Sequence, residues 1–170
     1  MITDSTSDHR SGDSYSDTMF ECLGDEPSNA NPMGNHGPGL ASWVQETRWP
    51  VFLTTKYNDS LLYTYNFAKA GAMVSRDIIR NTGNRGKAMT EQFEDLFKPA
   101  YVDYKEGTSS WTAESSLFII FIGINDNLRL HDSDGHVDGE TQREIMHAYQ
   151  TFMNDVSFPL PRPMQASTAN

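Results

Sequence analysis

Cysteine is almost absent: Cys22 stands alone in 170 residues. One thiol closes no internal disulfide and supplies no cysteine-based zinc cluster, so Cys22 reads as a free thiol. Basic residues are also scarce, 13 Lys and Arg against 23 Asp and Glu, leaving a net charge of -10. Phosphate backbones are neutralised by Lys and Arg, so nucleic acid is not expected as a partner. Long apolar runs are missing too. The longest, Leu117 to Ile122, is far short of the roughly 20 residues that cross a bilayer. The first residues, Met1-Ile2-Thr3-Asp4-Ser5, lack the charged-then-apolar pattern of a signal peptide.

The length suffices for one domain with a real core. A hydrophobic content of 37% and a mean hydropathy of -0.58 are low for a protein built on a buried parallel sheet. Residues 1–11 are polar and read as a disordered tail. Asn29 to Gly39, rich in Asn, Pro and Gly, reads as a loop. A helix is expected from Trp49, with Pro50 in its first turn and Trp49, Phe52 and Leu53 on its buried face. Leu61 to Ala68 reads as a strand. Lys87 to Phe97 predicts a second helix with Met89, Phe93, Leu96 and Phe97 on one face.

Leu117 to Ile122 predicts a strand buried on both faces. Gly139 to Val156 predicts a third helix, with a Thr141–Glu144 capping box and a stripe of Ile145, Ala148, Tyr149, Phe152 and Val156. Strands alternating with helices indicate an α/β layered fold with a parallel sheet. In such sheets ligand sites follow the carboxyl ends of strands.

The residues that suggest chemistry come in blocks: Gly12-Asp13-Ser14-Tyr15-Ser16-Asp17, then Asn31-Pro32-Met33-Gly34-Asn35, Trp49 and Phe52 to Asn58. Tyr65-Asn66-Phe67-Ala68, Gly71-Ala72 and Gly123-Ile124-Asn125-Asp126 follow. In this order and spacing the chain from Gly12 to about Ser157 resembles the GDSL-type (SGNH) hydrolases. It is most similar to the fungal secreted lipase/acylhydrolase type that includes carbohydrate acetylesterases. The resemblance implies an incomplete flavodoxin-like three-layer fold over residues 12–157. It implies Ser14 as nucleophile, with an oxyanion hole from the backbone N–H groups of Ser14 and Gly71 and the side-chain amide of Asn125. The family usually carries a second glycine just before Gly71; here Ala70 stands there.

A serine needs a base, and the family's Asp-x-x-His block supplies one. None of the five histidines has an aspartate three residues before it; Glu144-x-x-His147 is the nearest mimic. The block is therefore read as missing. The polar residues Thr6 to Ser11 likewise replace the buried strand that precedes Gly-Asp-Ser in the family. After Val156 the chain enters Ser157-Phe158-Pro159-Leu160-Pro161-Arg162-Pro163, where the prolines forbid a central strand. Residues 158–170 read as a Pro-rich disordered tail, and the chain as an internal piece of a longer hydrolase.

The expected function is a serine ester hydrolase acting on short acyl, chiefly acetyl, esters of carbohydrate or another small ester, inactive as this chain. No metal or organic cofactor is implied. Secretion is implied by the resemblance. The rival reading is a non-catalytic remnant binding carbohydrate through aromatic residues such as Trp43 and Trp111. Asp132, Asp134 and Asp138 fall on positions of a calcium loop, but Leu130 and Thr141 stand where its first and last ligands belong. His131 and His136 are weighed as substitute bases, without an orienting aspartate. Asn58-Asp59-Ser60 is a glycosylation pattern.

Overall fold

Three parallel strands organise the chain. They are β1 (Thr6–Gly12), β2 (Leu62–Asn66) and β3 (Ser116–Phe121), in the order β2-β1-β3. The computed structural model describes residues 6–35, 48–79, 87–102, 115–131 and 135–157. With helices between and after the strands, the architecture is mixed α/β. β1 pairs with β2 from Thr6↔Leu62 to Arg10↔Asn66, and with β3 from Ser7↔Ser116 to Gly12↔Phe121. This corrects the expectation of a polar tail before Gly12. A central strand is held through its backbone N–H and C=O groups on both edges, and that pairing asks nothing of side-chain polarity.

Helix α1 (Trp49–Thr55) starts with Pro50 in its first turn, as expected. Its buried face differs: Pro50, Val51 and Thr54 are inside, whereas Phe52 is exposed. A hydroxyl pair explains the choice. Thr54 Oγ1 donates to Pro50 O at 2.8 Å and lies 2.5 Å from Thr64 Oγ1 on β2. Two threonines satisfy each other in the interface, and the larger rings turn outward. Asn58 Nδ2 donates to Thr54 O at 2.6 Å, so the nitrogen of the glycosylation pattern is engaged at the end of α1.

The second helix opens as α2 (Met89–Glu91) and continues with π geometry through Gln92–Val102, five residues beyond the expected Phe97. Pro99 lies inside it. In an α-helix a proline ring collides with the carbonyl four residues back; the wider π turn displaces that carbonyl. Phe93, Phe97 and Tyr101 form a column with centroids 5.5 and 6.0 Å apart. Phe67 and Phe118 meet Phe97 edge-on, each at 5.6 Å. Helix α4 (Gly139–Ser157) closes this core with Ile145, Phe152 and Val156, while Ala148 and Tyr149 are partly buried beside it.

Three further expectations are corrected. β3 is an edge strand, not one buried on both faces: Phe118 and Ile120 pack on the core, but Leu117 is 54% exposed. A short helix, α3 (Ile124–Leu130), follows β3 where a loop was expected. The first turn of α4 is capped by Asp138 rather than by a Thr141–Glu144 box. Its carboxylate accepts from Glu140 N at 3.0 Å and Thr141 Oγ1 at 2.5 Å. Trp43, Trp111, Asp132, Asp134 and the tail 158–170 lie outside the described residues. Among the described residues, no helix is long and apolar enough to cross a membrane.

Candidate functional site

β1 runs straight into Asp13, and the chain then makes one tight turn. Ser16 N and Asp17 N donate to Asp13 O at 3.0 and 2.9 Å, while Tyr15 N donates to Asp13 Oδ1 at 3.0 Å. Asp13 thus folds the turn over its own backbone, the usual service of an aspartate there. Ser14 sits half-buried on that turn beside the exposed Tyr15. Gly12 has no room for a side chain: a Cβ would lie 2.5 Å from Phe121 O.

The second segment is the loop after β2. Lys69 N donates to Gly12 O at 3.1 Å, and Ala70 N donates to Asp17 Oδ2 at 2.8 Å. Asp17 Oδ1 accepts from Met19 N at 2.8 Å, so one carboxylate bridges both segments. Asn66, at the end of β2, donates to Ser16 O at 2.5 Å and Thr18 Oγ1 at 2.8 Å. Gly71 has φ +78, a left-handed conformation that favours glycine. Ala70 needs no such freedom, because positive φ among non-glycine residues occurs at Met19 and Asn35.

The third segment follows β3. Gly123, with φ +118, turns the chain into α3. Asn125 Nδ2 then donates to Ala72 O at 2.8 Å, and Asp126 accepts Val74 N at 3.1 and 3.2 Å through its two oxygens. Ser14, Gly71 and Asn125, singled out from sequence, therefore lie on three segments sewn together by hydrogen bonds. Among the described residues, the N–H groups of Ser14 and Gly71 donate to no protein acceptor.

Two buried acids stand behind this arrangement. Burial pushes the Asp13 carboxyl up from its ordinary value, against the pull of the Tyr15 N–H. Burial likewise raises Asp126, with the nearby Asp13 charge adding to it and the Val74 N–H and Arg129 opposing. Asp13 Oδ2 is buried without a hydrogen-bond partner among the described residues.

Three histidines among the described residues stand elsewhere. His131 and His136 are exposed around a short antiparallel bridge, His131 Nδ1 lying 3.2 Å from Gly135 O. His147 is exposed on α4 and lines open clefts of about 700 and 410 Å³ together with Ser75. Ser14 lines neither. Among the described residues no group of three His, Cys, Asp or Glu could hold a metal, and Asp138 serves as a helix cap.

Four residues support the arrangement without having been assigned to it from sequence: Asp17, Asn66, Trp49 and Gln92. Asp17 and Asn66 lay within quoted blocks, so their polarity beside a buried strand end was the available signal. Trp49, expected to be core, donates its Nε1–H to Ser16 Oγ at 3.1 Å. Gln92 could be found only as a polar residue on the expected apolar face of the second helix.

No family model matches the chain. It is similar to an acetylesterase of Thermothelomyces thermophilus, 33% identical over 117 residues, which is 68% of this chain and 37% of that protein. The chain therefore spans little more than a third of that relative's length. The similarity supports an ester-hydrolase family for this chain.

Proposed function

We propose that these three segments are the nucleophile-and-oxyanion half of an SGNH-type ester hydrolase on a flavodoxin-like three-layer framework. The substrate is a short acyl ester, acetyl first, of a carbohydrate, and the working enzyme is secreted. Ser14 Oγ bonds to the acyl carbon and the carbonyl oxygen becomes an oxyanion. The N–H groups of Ser14 and Gly71 and the amide of Asn125 receive that charge. Collapse breaks the bond to the alcohol oxygen, which leaves with a proton, and water later releases the acyl group as acid. Supporting this reading is the hydrogen-bonded convergence of residues 12–18, 69–74 and 123–126, with the two backbone N–H groups unengaged among the described residues.

The proton must pass through a base, and this sequence has no Asp-x-x-His block. Removing the base from a serine hydrolase costs on the order of 10⁶-fold in turnover. Hydrolysis of p-nitrophenyl acetate by this chain alone is therefore expected to match that of Ser14→Ala. Fast turnover that disappears in Ser14→Ala would mean that a base does reach Ser14. A second, non-catalytic carbohydrate-binding reading draws on one observation. Trp49, Phe52, Leu53 and Tyr57 line an open cleft of about 380 Å³ on α1, where Tyr57 is well exposed. It ranks second because it leaves the convergence around Ser14 without a purpose.

A further inference from the structure

The turn bearing Ser14 is short and polar, and it stands at the end of a strand whose last pair is Gly12↔Phe121. Hydrogen bonds between its own residues fix its shape. They do not fix where it stands relative to the loops that carry Gly71 and Asn125. Something outside the turn must anchor the peptide units that enter and leave it.

Gln92 is the anchor on the entering side. Its side chain is fully buried, at 0% exposure, at the start of the π-helix. Its Oε1 accepts Gly12 N at 2.9 Å, and its Nε2 donates to Gly12 O at 2.8 Å. The carboxamide thus engages both polar groups of one residue, as a neighbouring strand would. A second Nε2 bond reaches Lys87 O at 2.9 Å and ties the amide to the segment leading into α2. Gly12 O also receives Lys69 N, so the same carbonyl joins Gln92 to the loop carrying Gly71. Asn66 grips the leaving side at Ser16 O.

We infer that Gln92 is a positioning residue for Ser14: its carboxamide clamps Gly12 and thereby sets the nucleophile turn against the 69–74 loop. The clamp is a matter of structure alone, whereas its service to chemistry rests on the esterase reading. A fully buried glutamine inside an apolar helix face costs its desolvation unless every bond is made. Here two of the three bonds fall on the one residue that launches the turn. Displacing a reacting group by about 1 Å through a distant change can cost on the order of a hundredfold in rate.

The test compares wild type, Gln92→Ala and Gln92→Glu by residue-resolved amide hydrogen exchange. Hydrolysis of p-nitrophenyl acetate is measured in parallel with imidazole supplied as the missing base, and the Ser14→Ala rate is subtracted. In Gln92→Ala, exchange at Gly12 and through Asp17 should rise about tenfold or more, while amides of β2 and α4 keep their protection. The Ser14-dependent rate should fall about a hundredfold, in kcat with KM little changed.

Gln92→Glu supplies a readout that packing alone does not. A protonated carboxyl can both accept from Gly12 N and donate to Gly12 O, but an ionised one cannot donate. Protection, and the rate taken relative to wild type at the same pH and imidazole concentration, should therefore approach wild type as pH falls and fade as the introduced carboxyl ionises. Unchanged exchange at Gly12, or equal loosening across the whole protein, overturns the inference. So does local loosening without a change in a measurable Ser14-dependent rate. If wild type shows no Ser14-dependent rate with imidazole, the esterase reading fails; local loosening with acid recovery would still establish the clamp.

Discussion

In the aromatic column, Phe67, Phe93, Phe97 and Tyr101 touch one another at centroid separations of 5.5 to 6.0 Å. Along Gly12–Thr18, by contrast, the partners are Gln92, Asn66, Ala70 and Trp49, each at a defined hydrogen-bond distance. Area holds the first region and direction holds the second. Burying rings stabilises in proportion to the surface removed from water, with broad tolerance in angle. A hydrogen-bonded turn contributes less net energy, but it has only one geometry that satisfies its partners. The turn that carries Ser14 has the second kind of support.

The largest effect is therefore expected in the column. Phe97 contacts Phe67, Phe93, Tyr101 and Phe118. Phe97→Ala should cost about 3–5 kcal/mol in urea denaturation, much of the stability of a domain this size. A loss below about 1 kcal/mol would mean that the column is not the core and that the contrast between regions is misdrawn.

That contrast also explains which parts were legible in the sequence. Apolar spacing found the second helix and α4 because Met89, Phe93, Phe97, Ile145, Phe152 and Val156 repeat with the helical period. It failed at β1, whose pairing is written in the backbone and leaves no apolar trace in Thr6 to Ser11. It failed at α1 too, where Thr54 and Thr64 outcompeted the rings for the interface. At the candidate site, Ser14, Gly71 and Asn125 were singled out through their motif context. Gln92 was not, because two of its bonds go to atoms of a glycine eighty residues away.

An intermediate effect should come from the buried acids, and its sign is fixed by their shifts. Asp126 has a raised carboxyl in the fold, so the native state holds its proton to higher pH than the unfolded chain. Its contribution to stability is then fully present below the unfolded value and is lost as pH rises through the folded one. In Asp126→Asn the side-chain oxygen can still accept Val74 N without a charge to bury. Relative to that variant, wild type should gain stability as pH falls from neutral to about 4. Urea midpoints of both proteins across that range measure the gap. A constant gap would mean that Asp126 is not desolvated and that the site is more open than the column.

The smallest effect belongs to the face of β3 that neither region covers. Leu117 is 54% exposed and Phe121 51%, on the side of the strand opposite Phe118 and Ile120. The two differ in one respect: Phe121 meets Trp49 at 6.1 Å, and Trp49 in turn holds Ser16. Leu117→Lys should therefore change stability by no more than about 0.5 kcal/mol. It should also reduce self-association, because a charge on an edge strand discourages pairing with another chain. Sedimentation velocity and urea denaturation of that variant read both quantities. A Leu117→Lys penalty above about 2 kcal/mol would require an apolar covering on this face of β3, and the sheet would then be enclosed on both sides as the sequence suggested.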